Sequence, residues 1–328
     1  MPSTPPRYVD VHHHILPEPY VRAVGAKAIG QQGSSGKVPP WSVNAAIEGM
    51  DKAGIQMAIT SVSSPGFRGL TAEAQATTAR WCNDFAAELC SQHPRRFGMF
   101  ASLPMADIHA SLHELVHAMD TLRSDGVCLL SNWDGHYLGE NRFAPLLQEL
   151  NRRKATVFVH PTSPFNEVTI DRLSASTLEF PFDTTRTLAS LVFGGTLSKY
   201  PDIRWIFSHA GGAMPYLSGR IETLTTNNPA LREHIPNGFG VELGKLYFDC
   251  ALSVNATAMT ALAMAVPASR LLFGTDYPFG PSDQMQSTVT GVEKLDWNRE
   301  RQSALAHRNA MELFPRVAAV LGEPVARA

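Results

Sequence analysis

The chain has 328 residues, of which 44% are hydrophobic and 18% charged, with a formal net charge of -2. That length suits one α/β barrel domain spanning residues 1–328, since such barrels use about 250 residues and often more. The composition argues against a disordered chain, a nucleic-acid binder or a protein drawn to an acidic membrane surface.

Residues 1–7 are polar and proline-containing and lack the apolar stretch of a secretory signal. No run of about 18 apolar residues occurs, so no membrane-spanning helix is expected. The four cysteines, Cys82, Cys90, Cys128 and Cys250, form no C-x-x-C pair. They are expected to be reduced thiols in a cytoplasmic protein.

In chain order, an apolar run over 8–11 leads into Asp10-Val11-His12-His13-His14. Strand side chains alternate, so His12 and His14 point the same way and His13 the opposite way. A long connection, 16–40, follows and contains a glycine- and serine-rich stretch at 30–36. The spacing of Ala46, Ile47 and Met50 predicts a helix over 43–52. Strand-like runs then alternate with helical patterns: strand 55–62, helix 72–92, strand 97–103, helix 109–123, strand 126–130, helix 143–153 and strand 156–160. A second long connection covers 161–185. Helix 187–199, strand 203–208, helix 213–223, strand 246–251, helix 256–265, strand 271–274 and helix 299–314 complete the series.

Eight strand-then-helix units predict a closed parallel (β/α)8 barrel, a TIM barrel. Both long connections follow strands, which puts them over the face where barrel enzymes keep their chemistry. They carry Phe165, Phe180 and Phe182, with Trp41 directly after the first connection, and these either line an apolar or aromatic binding pocket or pin the loops down.

Polar residues end several of these strands. His160 closes the fifth in Val157-Phe158-Val159-His160-Pro161. His209 closes the sixth in Ile206-Phe207-Ser208-His209-Ala210-Gly211-Gly212. Asp276 follows the eighth in Gly274-Thr275-Asp276. With His12 and His14, these groups stand at one level of one barrel face, which points to a bound metal ion.

The H-x-H pair, the single histidines at strands five and six and the aspartate at strand eight resemble the amidohydrolase superfamily over essentially the whole chain. His209-Ala-Gly-Gly and Gly274-Thr-Asp-Tyr-Pro-Phe resemble its non-hydrolytic branch. That branch includes aminocarboxymuconate-semialdehyde, γ-resorcylate and 6-methylsalicylate decarboxylases. The resemblance implies a metal held by His12, His14, His160 and Asp276. Binuclear relatives carry a lysine or carboxylate at strand four, where this chain reads Gly126-Val-Cys-Leu-Leu-Ser-Asn132, so one ion is expected. His209 then resembles the catalytic histidine, with a fourth nitrogen ligand as the alternative. The ion is expected to be Zn2+, alternatively Mn2+, with no organic cofactor.

The resemblance also implies substrate contacts. Arg220 matches an arginine that reaches a neighbouring subunit's site to bind a carboxylate, which implies a homodimer; an ordinary solvated arginine is the alternative. Phe279 matches a substrate contact, while Tyr277 is either pocket wall or packing. Segments 132–139, with Trp133, and 180–186, with Phe182, look most like 6-methylsalicylate-type members. The arginine that the aminocarboxymuconate enzyme carries just before a Met-Asp pair is missing from Asn44-Ala-Ala-Ile-Glu-Gly-Met-Asp51. A small aromatic monocarboxylic acid with an ortho hydroxyl is therefore the expected substrate. Asp276 would be the proton donor to the ring and His209 the stabiliser of its oxygens. The competing expectations are a metal-dependent hydrolase of a lactone, amide or aryl ester, and a hydration-type reaction.

Overall fold

A computed structural model describes residues 8–168 and 170–322. The polar stretch 1–7 lies outside the described residues. Eight parallel strands form one sheet in sequence order: β1 (Tyr8–His14), β2 (Ile55–Ser61), β3 (Phe97–Ser102), β4 (Gly126–Leu130), β5 (Thr156–His160), β6 (Arg204–Phe207), β7 (Tyr247–Asp249) and β8 (Leu271–Leu272). Backbone bonds from Val11 N to Phe273 O and from Asp276 N to His12 O join β8 to β1 and close the barrel. The architecture is the expected (β/α)8 barrel.

Two apolar cores follow from strand alternation. Val9, Val11, Met57, Ile59, Phe100, Phe158, Ile206 and Leu272 fill the barrel interior, and Phe314, Val317 and Leu321 plug it from one end. Phe100 stacks on Phe158 at 5.3 Å; burying each such ring contributes roughly 1.5–3 kcal/mol. The residues of opposite parity, among them Val157, Val159, Trp205 and Phe207, face outward into the core shared with the helices.

Capping residues start the helices where the sequence places them. Ser42 Oγ accepts from Ala45 N ahead of helix Val43–Ala53, and Thr71 Oγ1 from Ala74 N ahead of helix Ala72–Gln92. Helix Ala256–Ala265 also has its expected bounds, capped by Asn255.

The long connections are more structured than expected. The first holds helices Glu18–Val24 and Ala26–Gly30. In the second, the helix expected from residue 187 begins at Ala175 and runs to Phe193 through Pro181. A proline within a helix forgoes one backbone bond, here near the helix start, where Thr177 is exposed. Pro181 O accepts from Thr185 Oγ1 (2.7 Å), and Thr185 Oγ1 accepts from Ala213 N (2.9 Å), tying this helix to the loop after β6. Gly212 makes the approach possible: at φ +64°, a Cβ there would stand 2.0 Å from Pro181 O. Among the described residues, no helix is long and apolar enough to cross a membrane.

Candidate metal centre

A bulge in β1 aims the histidines. Asp10 pairs with Ala58 and His13 with Thr60, so three residues on β1 oppose two on β2. Val9 and Val11 face the barrel interior, and the extra residue resets the parity so that His12 and His14 face inward above them. Asp10 holds the bulge: its carboxylate accepts from His12 N, Thr275 N and Thr275 Oγ1 and pairs with His13 Nδ1. His13 points away and lies against Tyr277 at 4.8 Å, so Tyr277 is packing.

On β5 ordinary alternation places Phe158 inside the barrel and His160 above it. Asp276 sits just past β8 at φ +64°. One donor atom from each of His12, His14, His160 and Asp276 lies within 4.8 Å of the others, and all four residues are buried.

Each imidazole is held from behind. His12 Nδ1 donates to Asp249 Oδ2 (2.8 Å) and His160 Nδ1 to Pro161 O (2.8 Å), while His14 Nδ1 pairs with Ser61 Oγ (3.0 Å). A carboxylate and a carbonyl only accept, so in the neutral imidazoles, the form that binds a metal, the Nε2 atoms of His12 and His160 carry lone pairs. Those lone pairs converge: His12 Nε2 is 3.0 Å from His14 Nε2 and 3.1 Å from Asp276 Oδ1, and His14 Nε2 is 3.0 Å from the same oxygen. Lone pairs facing one another and a carboxylate in a buried place repel unless a positive charge sits among them. Ligand atoms about 2.0–2.2 Å from one ion stand roughly this far apart. The donor set therefore fits a single divalent cation, with outer partners of the kind that orient metal-bound histidines.

Titration points the same way. Burial pushes His14 down to about 4 and His160 down to about 3, so both are neutral and able to coordinate. Burial also opposes charge on His12, but Asp249 and Asp276 outweigh it and raise this group to about 10; a cation would take the place of that proton. Burial works to raise Asp276 too, yet the histidines, His12 foremost, hold it well below the usual carboxylate range.

His209, at φ +52° in the turn Ser208–Gly212, stands beside this group. Its Nε2 is 3.3 Å from Asp276 Oδ2, the oxygen turned away from His12 and His14. Its backbone N donates to Asp249 Oδ1, and its Nδ1 has no partner among the described residues. Asp249, overlooked in the sequence, thus orients both His12 and His209. The cue was present: Tyr247-Phe248-Asp249 is another apolar strand ended by a polar group.

A cavity of about 380 Å3 opens over the centre, lined by His160, His209, Asp276, Phe180, Pro181 and Phe279 among others, with no lysine or arginine among the described residues of its wall. Phe279 meets His14 edge-on at 5.7 Å. Two expected substrate contacts lie elsewhere. Phe182 is about 200° around the helix from Phe180 and is 38% exposed, so Phe180 and Pro181 form the wall in its place. Trp133 belongs to a hairpin that turns it under Arg68 and into a separate cleft beside Met105 and Ile108. Arg220 is exposed on helix Met214–Thr225 and does not line its own chain's cavity.

Asp249→Asn is expected to weaken metal affinity about 10–100-fold. Its two oxygens accept from His12 Nδ1, His209 N and Ala251 N, so an amide NH2 must face a donor in either orientation. Competition against a chelator measures this, and unchanged affinity would remove Asp249 from the support of the centre.

Residues 9–316 match the amidohydrolase family. The chain is 36% identical to the decarboxylase yanB of Aspergillus niger over 324 residues, covering 94% of this chain and 87% of that protein. It is 33% identical to the 6-methylsalicylic acid decarboxylase of Penicillium expansum, covering 95% of this chain and 98% of that one. A crystal structure of an amidohydrolase II superposes with a TM-score of 0.86 at 26% identity, covering 94% of this chain and 99% of that one.

Proposed function

We propose that this chain, which belongs to the amidohydrolase family, is a non-oxidative, metal-dependent decarboxylase of an ortho-hydroxybenzoate of the 6-methylsalicylate kind, releasing CO2 and a phenol. The observation that carries the reading is the meeting of one buried three-histidine, one-aspartate group with a cavity walled by aromatic rings, in a chain whose relatives along nearly its full length include decarboxylases, one of them named for 6-methylsalicylic acid.

His12, His14, His160 and Asp276 would hold the ion, Zn2+ by preference and Mn2+ as the alternative. Bound there, a divalent cation would supply Lewis acidity to a carboxylate oxygen and the ortho oxygen of the acid. Direct loss of CO2 would leave a carbanion on the ring, which protonation of the carboxyl-bearing carbon avoids. Asp276 is the proton carrier. It is ionised in the free protein, so it takes the phenolic proton as the acid binds and delivers it to that carbon. Breaking the C–C bond then returns the electron pair to the ring and restores aromaticity as a phenolate, which takes a proton from water on release as the phenol. His209 Nε2, beside Asp276 Oδ2, stabilises negative charge on the substrate's oxygens. Phe180 and Phe279 flank the ring.

The test is incubation of the metal-loaded protein with a panel of salicylates, following CO2 and phenol. Equimolar CO2 and phenol are expected. Acid release from aryl esters or lactones with no CO2 from any hydroxybenzoate would establish the hydrolase alternative.

The working form is a cytoplasmic homodimer, suited to four free thiols. Tyr216, Arg220 and Leu224 are exposed at i, i+4 and i+8 along helix Met214–Thr225, a face that would bring Arg220 to a neighbouring copy's cavity. Arg220→Glu is expected to cut activity at least about ten-fold through a lost charge-assisted contact, with metal content unchanged. A monomer by sizing, or full activity in this variant, would refute that arrangement.

A further inference from the structure

Gln32 lies in the turn after helix Ala26–Gly30 and lines the cavity. Its amide is held at both ends. Nε2 donates to Ala28 O (3.1 Å), and Oε1 lies 2.8 Å from Ser64 Oγ. A flipped amide would set its oxygen against the Ala28 carbonyl, two acceptors in contact, so only one orientation is satisfied.

The Ser64 side of the amide is fixed by a one-way chain of donors. Ser64 Oγ is 2.8 Å from both Gln32 Oε1 and Thr162 Oγ1, and its single proton can serve only one of them. The amide oxygen can only accept, so Ser64 donates to Gln32 and Thr162 donates to Ser64. Thr162 Oγ1 in turn accepts from Arg68 Nη1 (3.3 Å), a group that can never accept. Arg68 is itself held by Asn132 and by Ser163 O. The direction of the chain is thus set by the accept-only amide oxygen, and the donate-only guanidinium at its far end agrees with it.

The second N–H of Gln32 has no protein acceptor among the described residues. Gln32 shares its cavity with His160, His209 and Asp276. Thr162 is two residues past His160, and Ser63, next to Ser64, has its Oγ 3.4 Å from His160 Nε2. The following residue, Gly33, lines the same cavity as Phe279, whose ring stands T-shaped to His14. Among the described residues of its own chain the wall carries no lysine or arginine, so the donors this chain itself offers a free carboxylate oxygen are neutral ones.

We propose that Gln32 is a specificity-determining residue that donates its free amide N–H to the carboxylate of the bound acid. Ser64 and Thr162 act as positioning residues that keep the nitrogen, and not the oxygen, turned toward the ligand. This rests on the reading of the cavity as an aromatic-acid site, and it predicts discrimination between an acid and its decarboxylated product.

The experiment uses metal-loaded protein and two ligands that cannot lose CO2: 2-nitrophenol, whose nitro oxygens stand where the carboxylate oxygens would, and phenol. Dissociation constants are measured by calorimetry for the wild-type chain, Gln32→Leu and Ser64→Ala. Gln32→Leu is expected to weaken 2-nitrophenol about five- to ten-fold, the effect of one lost hydrogen bond, and to leave phenol within about two-fold. Ser64→Ala keeps the amide but frees its orientation, and is expected to give a smaller loss for 2-nitrophenol alone. Unchanged binding of 2-nitrophenol in Gln32→Leu, or equal losses for both ligands, would overturn the assignment. Because neither ligand turns over, this result stands apart from the CO2 assay, in which failure of the decarboxylase reading would appear by itself.

Discussion

Asp276→Asn is expected to keep the barrel and much of its metal affinity while CO2 release falls by orders of magnitude. The side chain has two separable duties. Its Oδ1 lies within 3.1 Å of the Nε2 atoms of both His12 and His14, where an amide oxygen can still coordinate, though without charge. Its Oδ2 faces His209 Nε2 at 3.3 Å and is the oxygen free to carry a proton. An asparagine cannot take up the phenolic proton and return it to the ring. Removal of a positioned acid–base group costs roughly 10²–10⁴ in rate, and lost charge at the centre adds to that. The measurement is CO2 release with metal content determined in the same sample, so that a slow variant with its ion in place is separated from an empty one. A metal-loaded Asp276→Asn protein turning over at the wild-type rate would show that the proton comes from elsewhere. The low titration of Asp276 sets the sign of its pH behaviour. In the free protein the group stays ionised down through the ordinary carboxylate range, so acidification there does not preload it, and activity should not rise toward low pH.

The barrel was legible because strands buried on both faces read as short apolar runs, and a polar group ending such a run stands out against it. His160 shows how directly this works: Phe158 and His160 share a parity, and the ring below predicts the direction of the imidazole above. His12 and His14 were legible as a pair, and the polar groups ending the other strands placed them on the barrel face, but alternation along β1 alone does not give that direction. Counting from the inward Val9 and Val11, strict alternation would have turned His13 inward, and only the bulge held by Asp10 reverses it. A bulge depends on pairing with a distant strand, here Ala58 and Thr60, and a single strand's sequence does not contain that register. The helix through Pro181 was hidden for a related reason. Proline normally argues for a boundary, and the compensating contacts come from Thr185 and from the loop after β6. That helix decides which aromatic faces the cavity, so the choice of Phe182 over Phe180 followed from not seeing it. Trp133 was placed by likeness of a segment, and the hairpin that diverts it is held by Asn132, Tyr137 and the buried Asp183 far along the chain.

Removing single ligands should separate the ion's role from the barrel's. His12→Ala and His160→Ala are both expected to be purified nearly free of metal and to release almost no CO2, since each deletes one of four converging donors. They should differ in stability. His12 is fully buried, and its Nδ1 is the hydrogen-bond donor to Asp249 Oδ2, so truncation leaves a carboxylate oxygen in the interior without its partner. That costs about 1–3 kcal/mol or more for a charged group, visible as a fall of several degrees in Tm measured without metal. His160 donates only to the neighbouring carbonyl of Pro161, and its Nε2 is the farthest of the three from Asp276 Oδ1, at 4.0 Å. His160→Ala also relieves some of the crowding of lone pairs, so its metal-free Tm should lie closer to that of the metal-free wild-type chain. Elemental analysis and thermal unfolding, with and without added Zn2+ or Mn2+, read both effects. Full metal occupancy in either variant would take that histidine out of the ligand set. A large gain in Tm on adding metal to wild-type protein, absent from both variants, would tie the ion to these side chains, because only a ligand that binds the folded state raises the midpoint.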